Sequence, residues 1–244
     1  MRKSIFIITT LLFAGILSAS AQWSSSGNDM SIAGSSNTNV EKRTIGFYNI
    51  GGSVSFINLS GNYFDSSKKG NTAGTINLAR LGFFLGRKSN VYLGFGWDLP
   101  FKGWTERAEI NGKVFSTSYT TVGYRFPVYA GYRLPITESF KLYAHTGITF
   151  DFDFAGYWGS MTYDGETEKI DTKEIEQFNK QFNVFNSSWM LSAGLMFKHV
   201  YLGIDYFLPF TDVFNHKHVA ESVKGKIGSF NICIGITFDI KSAT

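Results

Sequence analysis

From Asn231 to Ile240 the chain alternates without exception between large apolar residues (Ile232, Ile234, Ile236, Phe238, Ile240) and small or polar ones (Asn231, Cys233, Gly235, Thr237, Asp239). A period of two places the first set on one face of a β-strand and the second on the other. The same reading predicts strands over residues 44–60, 75–86, 91–101, 116–134, 140–154, 188–197, 200–210 and 226–240. Eight is an even count, as a bacterial single-chain membrane barrel requires.

The predicted connections alternate in length. Residues 87–90, 135–139 and the Lys198-His199 corner are tight, whereas residues 61–74, 102–115, 155–187 and 211–225 are longer. Short periplasmic turns alternating with longer extracellular loops produce this pattern, and both ends of the barrel then fall on the short-turn side. The small-residue face decides what the apolar face looks at. In the third strand Val91, Leu93, Phe95, Trp97 and Leu99 oppose Tyr92, Gly94, Gly96 and Asp98, and elsewhere that second face carries Gly123, Gly131, Gly147, Gly194, Gly203 and Gly235. Glycine weakens a strand and gains nothing on a wetted surface, but it suits a lumen whose opposite walls nearly touch. Eight strands enclose such a lumen. The expected fold is therefore all-β: an eight-stranded antiparallel transmembrane up-and-down β-barrel over residues 43–241.

Aromatic residues fit a membrane boundary. Trp97, Phe101 and Trp104, with Phe150, Phe152, Phe154, Tyr157 and Trp158, gather towards the long-loop ends, and Tyr124 and Tyr132 share the lipid-side register of the fourth strand. Such girdles sit at headgroup level. Pro127 conflicts with an uninterrupted ladder and predicts a bulge or a break there.

The N-terminus states the compartment. Arg2 and Lys3 precede an apolar run from Ile5 to Leu17, and Ala19-Ser20-Ala21 forms a cleavage-type sequence. This is a secretory signal over residues 1–21; the run is shorter than the roughly 18 residues that a membrane-crossing helix needs. Residues 22–42, rich in Ser, Asn and Gly, read as a flexible periplasmic leader that cannot bury enough surface to fold. Removing the signal takes two of 23 basic residues and none of 19 acidic ones. The remaining charge of +2 argues against nucleic acid as a partner. Cys233 is the single cysteine, which precludes an intrachain disulfide and is most simply a packing residue.

The stretch Tyr124-Arg-Phe-Pro-Val-Tyr-Ala-Gly-Tyr-Arg-Leu-Pro135, followed by Phe140-Lys-Leu-Tyr-Ala-His-Thr-Gly147, resembles the outer-membrane β-barrel domain family widespread in Bacteroidota, which is similar to small OmpA/OmpX-like barrels. In that family an apolar-Pro-apolar strand runs into a short turn and the next strand opens with Tyr-x-x-x-Gly; the family tolerates a proline at the place of Pro127. The resemblance covers essentially the whole mature chain and speaks for fold more than activity. The last strand resembles the assembly signal of outer-membrane proteins through Ile236, Phe238 and Ile240, departing from it by continuing into Lys241-Ser-Ala-Thr. It implies the outer membrane as location, with outer-membrane lipid and the barrel-assembly machinery as partners.

Candidate chemistry lies in two places. On the lumen face Arg80, Arg125, Arg133 and Lys198 stand against Asp98, Asp151, Asp153, Asp205 and Asp239, an expected charge network, since buried charges must be paired. His145 shares a face with Asp151 and Asp153, the residue types of a general acid/base pair, but no nearby serine supports a barrel enzyme, and a hydrogen-bonded lumen residue is the simpler identity. His216 and His218 make a weak metal set. In the loop over residues 155–187, Asp171-Thr-Lys-Glu174 reads as a helix start, and Ile175, Phe178 and Phe182 recur at helical spacing. That ridge either lids the barrel mouth or forms a candidate interaction surface. The expectation is a monomeric, non-enzymatic barrel without cofactor or metal, structural or recognising an unknown extracellular ligand through its loops; a barrel enzyme acting on lipid or peptide and a small passive pore are the alternatives.

Overall fold

The computed structural model describes residues 44–86, 89–163 and 165–242, with the side chains of residues 154–158 outside the description. The signal, the leader and the girdle positions Phe154, Tyr157 and Trp158 lie outside what is described. The elements are β1 (Thr44–Ser60), β2 (Lys68–Gly70), β3 (Thr72–Phe84), β4 (Val91–Ile110), β5 (Lys113–Pro135), β6 (Phe140–Tyr163), β7 (Glu166–Lys169), α1 (Thr172–Gln181), β8 (Phe185–Phe197), β9 (Val200–Pro209) and β10 (Lys226–Lys241). Each long strand pairs antiparallel with its neighbour in sequence, and β10 returns to β1, so β1, β3, β4, β5, β6, β8, β9 and β10 close a ring. The chain is an eight-stranded antiparallel up-and-down barrel. Among the described residues no helix is long and apolar enough to cross a membrane; the strands carry the apolar surface.

Alternation sorts the two faces as the pattern predicts. Leu93 is 51% exposed and Ile234 58%, with Val54, Phe95, Val128, Leu202 and Phe238 exposed around the same belt. The opposite face is tightly packed. Tyr129 lies across Gly94, where a Cβ would come within 2.3 Å of its ring, and Tyr92 lies across Gly131, where a Cβ would come within 2.5 Å of it. Phe47, Tyr92, Tyr129, Met190 and Phe207 form one buried cluster, and Tyr143, Met196, Tyr201 and Cys233 another. Cys233 is thus a packing residue, 1% exposed.

Pro127 keeps its place opposite Thr149 of β6. On its other side the pairing with β4 lapses between Phe95↔Val128 and Asp98↔Arg125 and resumes in the same register. The missing N–H is accommodated by a local gap in the ladder, and Gly96 leaves space for the ring, since a Cβ there would lie 2.9 Å from Pro127 Cγ.

Three expectations are corrected. Residues 102–115 are no loop: β4 and β5 run on as a hairpin to a tight turn at Asn111-Gly112, both with positive φ (53° and 74°), as a two-residue hairpin turn demands. Trp104 is no girdle residue. It is 0% exposed, because it shares the inward parity of Lys102 and alternates with outward Phe101. Lys198 is no lumen charge; it is exposed at the β8–β9 corner with φ 53°.

Two substitutions test the assignment of faces. Leu93→Arg or Ile234→Arg should each cost roughly 2–4 kcal/mol of barrel stability at mid-membrane, measured by reversible unfolding in lipid vesicles. Absence of a penalty at both sites would invert inside and outside. Gly94→Leu should overpack the lumen against Tyr129 and cost about 1–3 kcal/mol in the same assay.

Candidate functional site

Strand parity brings the predicted lumen charges together and adds two that lay outside the predicted set. At the centre Arg80 grips Asp98 with two bonds, Nε to Oδ1 at 3.2 Å and Nη2 to Oδ2 at 2.8 Å, and reaches across the lumen to Asp205 with Nη1 at 2.7 Å. Asp205 also accepts from Ser192 Oγ at 2.6 Å. Towards the long-loop end Arg125 forks onto Asp151 at 2.8 and 2.9 Å. Lys102 contacts Asp151 at 2.8 Å and Asp153 at 3.4 Å. At the short-turn end Asp239 binds Arg133 at 2.8 Å and Lys141 at 3.1 Å. Among the described residues five cations thus meet five carboxylates on this face. Aromatic rings cover the remaining guanidinium faces: Arg125 lies 3.8 Å from the Phe207 ring centre and Arg133 4.0 Å from that of Phe47, geometry that favours a desolvated cation.

Lys102 and Lys141 escaped the sequence reading because a loop was expected to begin at the first and a turn to end beside the second. The signal that finds Lys102 is parity carried two residues further along β4.

His145 does not meet a carboxylate partner in the manner of an acid/base pair. Its Nδ1 lies 3.1 Å from Tyr92 Oη, its ring stacks on Tyr129 (4.5 Å, 26°) and runs near-parallel to Tyr143 (5.7 Å, 18°), and Asp151 and Asp153 are engaged by Lys102 and Arg125. It is a packed lumen residue. His216 pairs with Asp212 at 3.5 Å, and no group of three metal-ligand-type residues occurs among the described residues.

The long-loop end is closed by aromatic packing. Phe64, Trp104, Phe182, Val213 and Phe214 form a buried cluster, with Tyr63, Tyr119 and Phe178 against it. Helix α1 starts where predicted: Asp171 caps it, its carboxylate accepting from Lys173 N at 2.7 Å, which satisfies one of the free N–H groups of the first turn. Phe178 stacks on Tyr119 (4.4 Å, 9°) and packs on Phe182 (4.5 Å). Phe182 is 3% exposed, and only Ile175 of the predicted ridge stays at the half-buried margin without a place in that cluster. Phe178 and Phe182 of the predicted ridge thus pack on their own barrel, as a short amphipathic helix gains most by burying its apolar side on the nearest apolar surface, while Ile175 lies outside that cluster. Tyr63 donates to Glu106 at 3.0 Å. Burial raises the Tyr63 hydroxyl far above its ordinary range and pushes Tyr119 up to about 12, so both hydroxyls stay neutral in this lid. Beneath it a cavity of about 10 Å³ touches Lys102, Asp151, Asp153 and Asn186, about the space of one water.

Arg80→Met tests the central cluster. It leaves Asp98 and Asp205, 0% and 1% exposed, facing each other without a cation, and should destabilise the barrel by about 3–5 kcal/mol, read from equilibrium unfolding in vesicles. The triple replacement Arg80→Met, Asp98→Asn, Asp205→Asn should recover most of that loss.

No protein-family model and no curated protein matches the chain. Among solved structures, the chain is similar to Ail, the attachment invasion locus protein of Yersinia pestis, in complex with the heparin analogue sucrose octasulfate (11% identity over 80% of this chain and 99% of that one, TM-score 0.36). It is similar also to Neisserial surface protein A (11%, 80% and 97%, 0.40) and to the outer membrane protein OprG from Pseudomonas aeruginosa (11%, 83% and 100%, 0.33). The assignment of this chain as a barrel rests on its own closed ring and apolar belt.

Proposed function

We propose that this chain is a non-enzymatic outer-membrane barrel with a sealed lumen, serving as a structural scaffold that presents a recognition surface outside the cell. The observation that carries this reading is the state of the interior: its cations and carboxylates bind one another over the length of the lumen, and an aromatic cluster covers the long-loop mouth. Charges engaged in this way are poor proton carriers and leave no continuous water path. Function is then left to the outer end, where a rigid scaffold holds loops and a projecting sheet, the usual construction of a binding surface.

The same reading includes export by a signal over residues 1–21, a periplasmic leader over residues 22–42, insertion by the assembly machinery, a monomeric barrel of the Bacteroidota type, and an extracellular ligand. The apolar belt supports a lipid setting, and the alternation of short and long connections supports the orientation.

Purified protein in a planar lipid bilayer should give no stable, reproducible conductance at neutral pH, unlike an open porin. Steady channels would replace this reading with that of a passive pore.

A further inference from the structure

The hairpin of β4 and β5 and the upper part of β6 continue beyond the apolar belt and are joined there by the short strands β2 and β7. Across these five strands one row of residues stands in register: Lys69 opposite Thr105, Thr105 opposite Ser118, Ser118 opposite Ser160, and Ser160 opposite Lys169. All five share the outward parity of Phe101, the last apolar residue of the belt on β4, so the row lies directly above hydrocarbon. At an inter-strand spacing of about 4.8 Å it spans about 19 Å between its terminal lysines. Arg107 starts the next row, opposite Ser116, which stands opposite Thr162.

The hydroxyls are organised by one another. Thr105 Oγ1 lies 3.0 Å from Ser118 Oγ and donates to Asn71 at 2.7 Å, and Thr162 and Thr167 are 2.9 Å apart. The outward face of this sheet has an excess of positive charge. Among the described residues it carries Lys69, Arg107 and Lys169, all exposed, against the single carboxylate of Glu109 near the tip; the inward parity is mixed, with Glu106, Glu166 and Glu168 beside Lys68 and Lys113. None of the three outward cations makes an ion pair among the described residues.

We propose that this lysine-flanked hydroxyl face binds the phosphorylated sugar headgroups of the glycolipid that forms the outer leaflet around the barrel. The inference rests on the outer-membrane reading above. Across strands tilted by about 45° the row climbs about 13 Å over its length, and Thr105, four residues beyond Phe101 at about 3.3 Å per residue, stands about 9 Å above the edge of the belt. That is the level of headgroup phosphates and first sugars, not of hydrocarbon or open water. Cations spaced along the face complement the phosphates, and Ser and Thr hydroxyls can both donate to and accept from sugar hydroxyls. Continuity with the lipid-facing belt means that such a headgroup meets the face as soon as its chains pack against the barrel.

The test uses the full barrel reconstituted in phosphatidylcholine vesicles with increasing lipopolysaccharide, read as the rise in thermal unfolding temperature and as retained lipopolysaccharide after flotation. The wild-type barrel should gain stability with lipopolysaccharide and lose the gain with its dephosphorylated form. The variant K69E/R107E/K169E should fold in phosphatidylcholine alone and need at least about tenfold more lipopolysaccharide for the same shift, whereas K69R/K169R should behave as wild type. Equal responses of wild type and K69E/R107E/K169E, or an equal wild-type response to phosphatidylglycerol, would overturn the proposal while the outer-membrane reading stands. Failure of the wild-type barrel to insert into phosphatidylcholine vesicles would overturn both.

Discussion

Closing eight strands into a ring leaves an interior that only side chains can fill, and the demand that those side chains satisfy one another organises the whole barrel. Backbone polar groups are satisfied by the ring itself, since a closed sheet has no edge. Side-chain charges have no such automatic partner. Arg80 solves this by bridging β4 and β9 from β3, holding Asp98 and Asp205 at once, so that one guanidinium ties strands on opposite walls. The glycines belong to the same solution: Tyr129 lies along the wall over Gly94 to reach Leu81 O on β3, and Tyr92 over Gly131 to reach His145 on β6, because those glycines withhold a Cβ where the rings must pass.

A single parity runs the length of β4. Tyr92 packs in the lower lumen, Asp98 in the central charge cluster, Lys102 in the upper one, and Trp104 in the aromatic lid. The lid is thus the continuation of the lumen wall rather than a separate structure laid on top. Helix α1 adds Phe178, and its C-cap Phe182, to a surface that β4 and β5 already present through Trp104 and Tyr119. The opposite parity undergoes a different change, from apolar residues in the belt to Gly103, Thr105, Arg107 and Glu109 above it. One strand therefore serves as lipid contact, lumen wall, lid and outer surface according to height and face.

The interior keeps its titratable groups engaged with one another. Groups that could support catalysis in isolation, such as His145 beside two aspartates, are occupied by packing and pairing: His145 by Tyr92 and the stacked tyrosines, the aspartates by Lys102 and Arg125. The outer sheet has the opposite character, with exposed cations and ordered hydroxyls left to meet whatever surrounds the barrel.

The eight strands, their order and the faces of the belt were legible in the sequence, because a period of two is a local property that neighbouring residues reveal. Part of the charge network could be read in the same way, since Arg80, Asp98, Arg125, Arg133, Asp151, Asp153, Asp205 and Asp239 all lie on the small-residue parity, whereas Lys102 and Lys141 were missed and Lys198 was included in error. Which charge grips which was decided by the tertiary structure, since Arg80 and Asp205 are 125 residues apart and only the closed ring brings them within reach. The upper hairpin was hidden because Thr, Ser, Glu and Arg above a membrane have no sustained apolar alternation to betray a strand; beyond Trp104 and Tyr119, hydrogen bonding to β2 and β6 holds it extended. The fate of the Ile175, Phe178 and Phe182 ridge was likewise settled by position. A helix shows that it has an apolar side, but only the nearness of Trp104 and Tyr119 determines that this side is buried on the barrel.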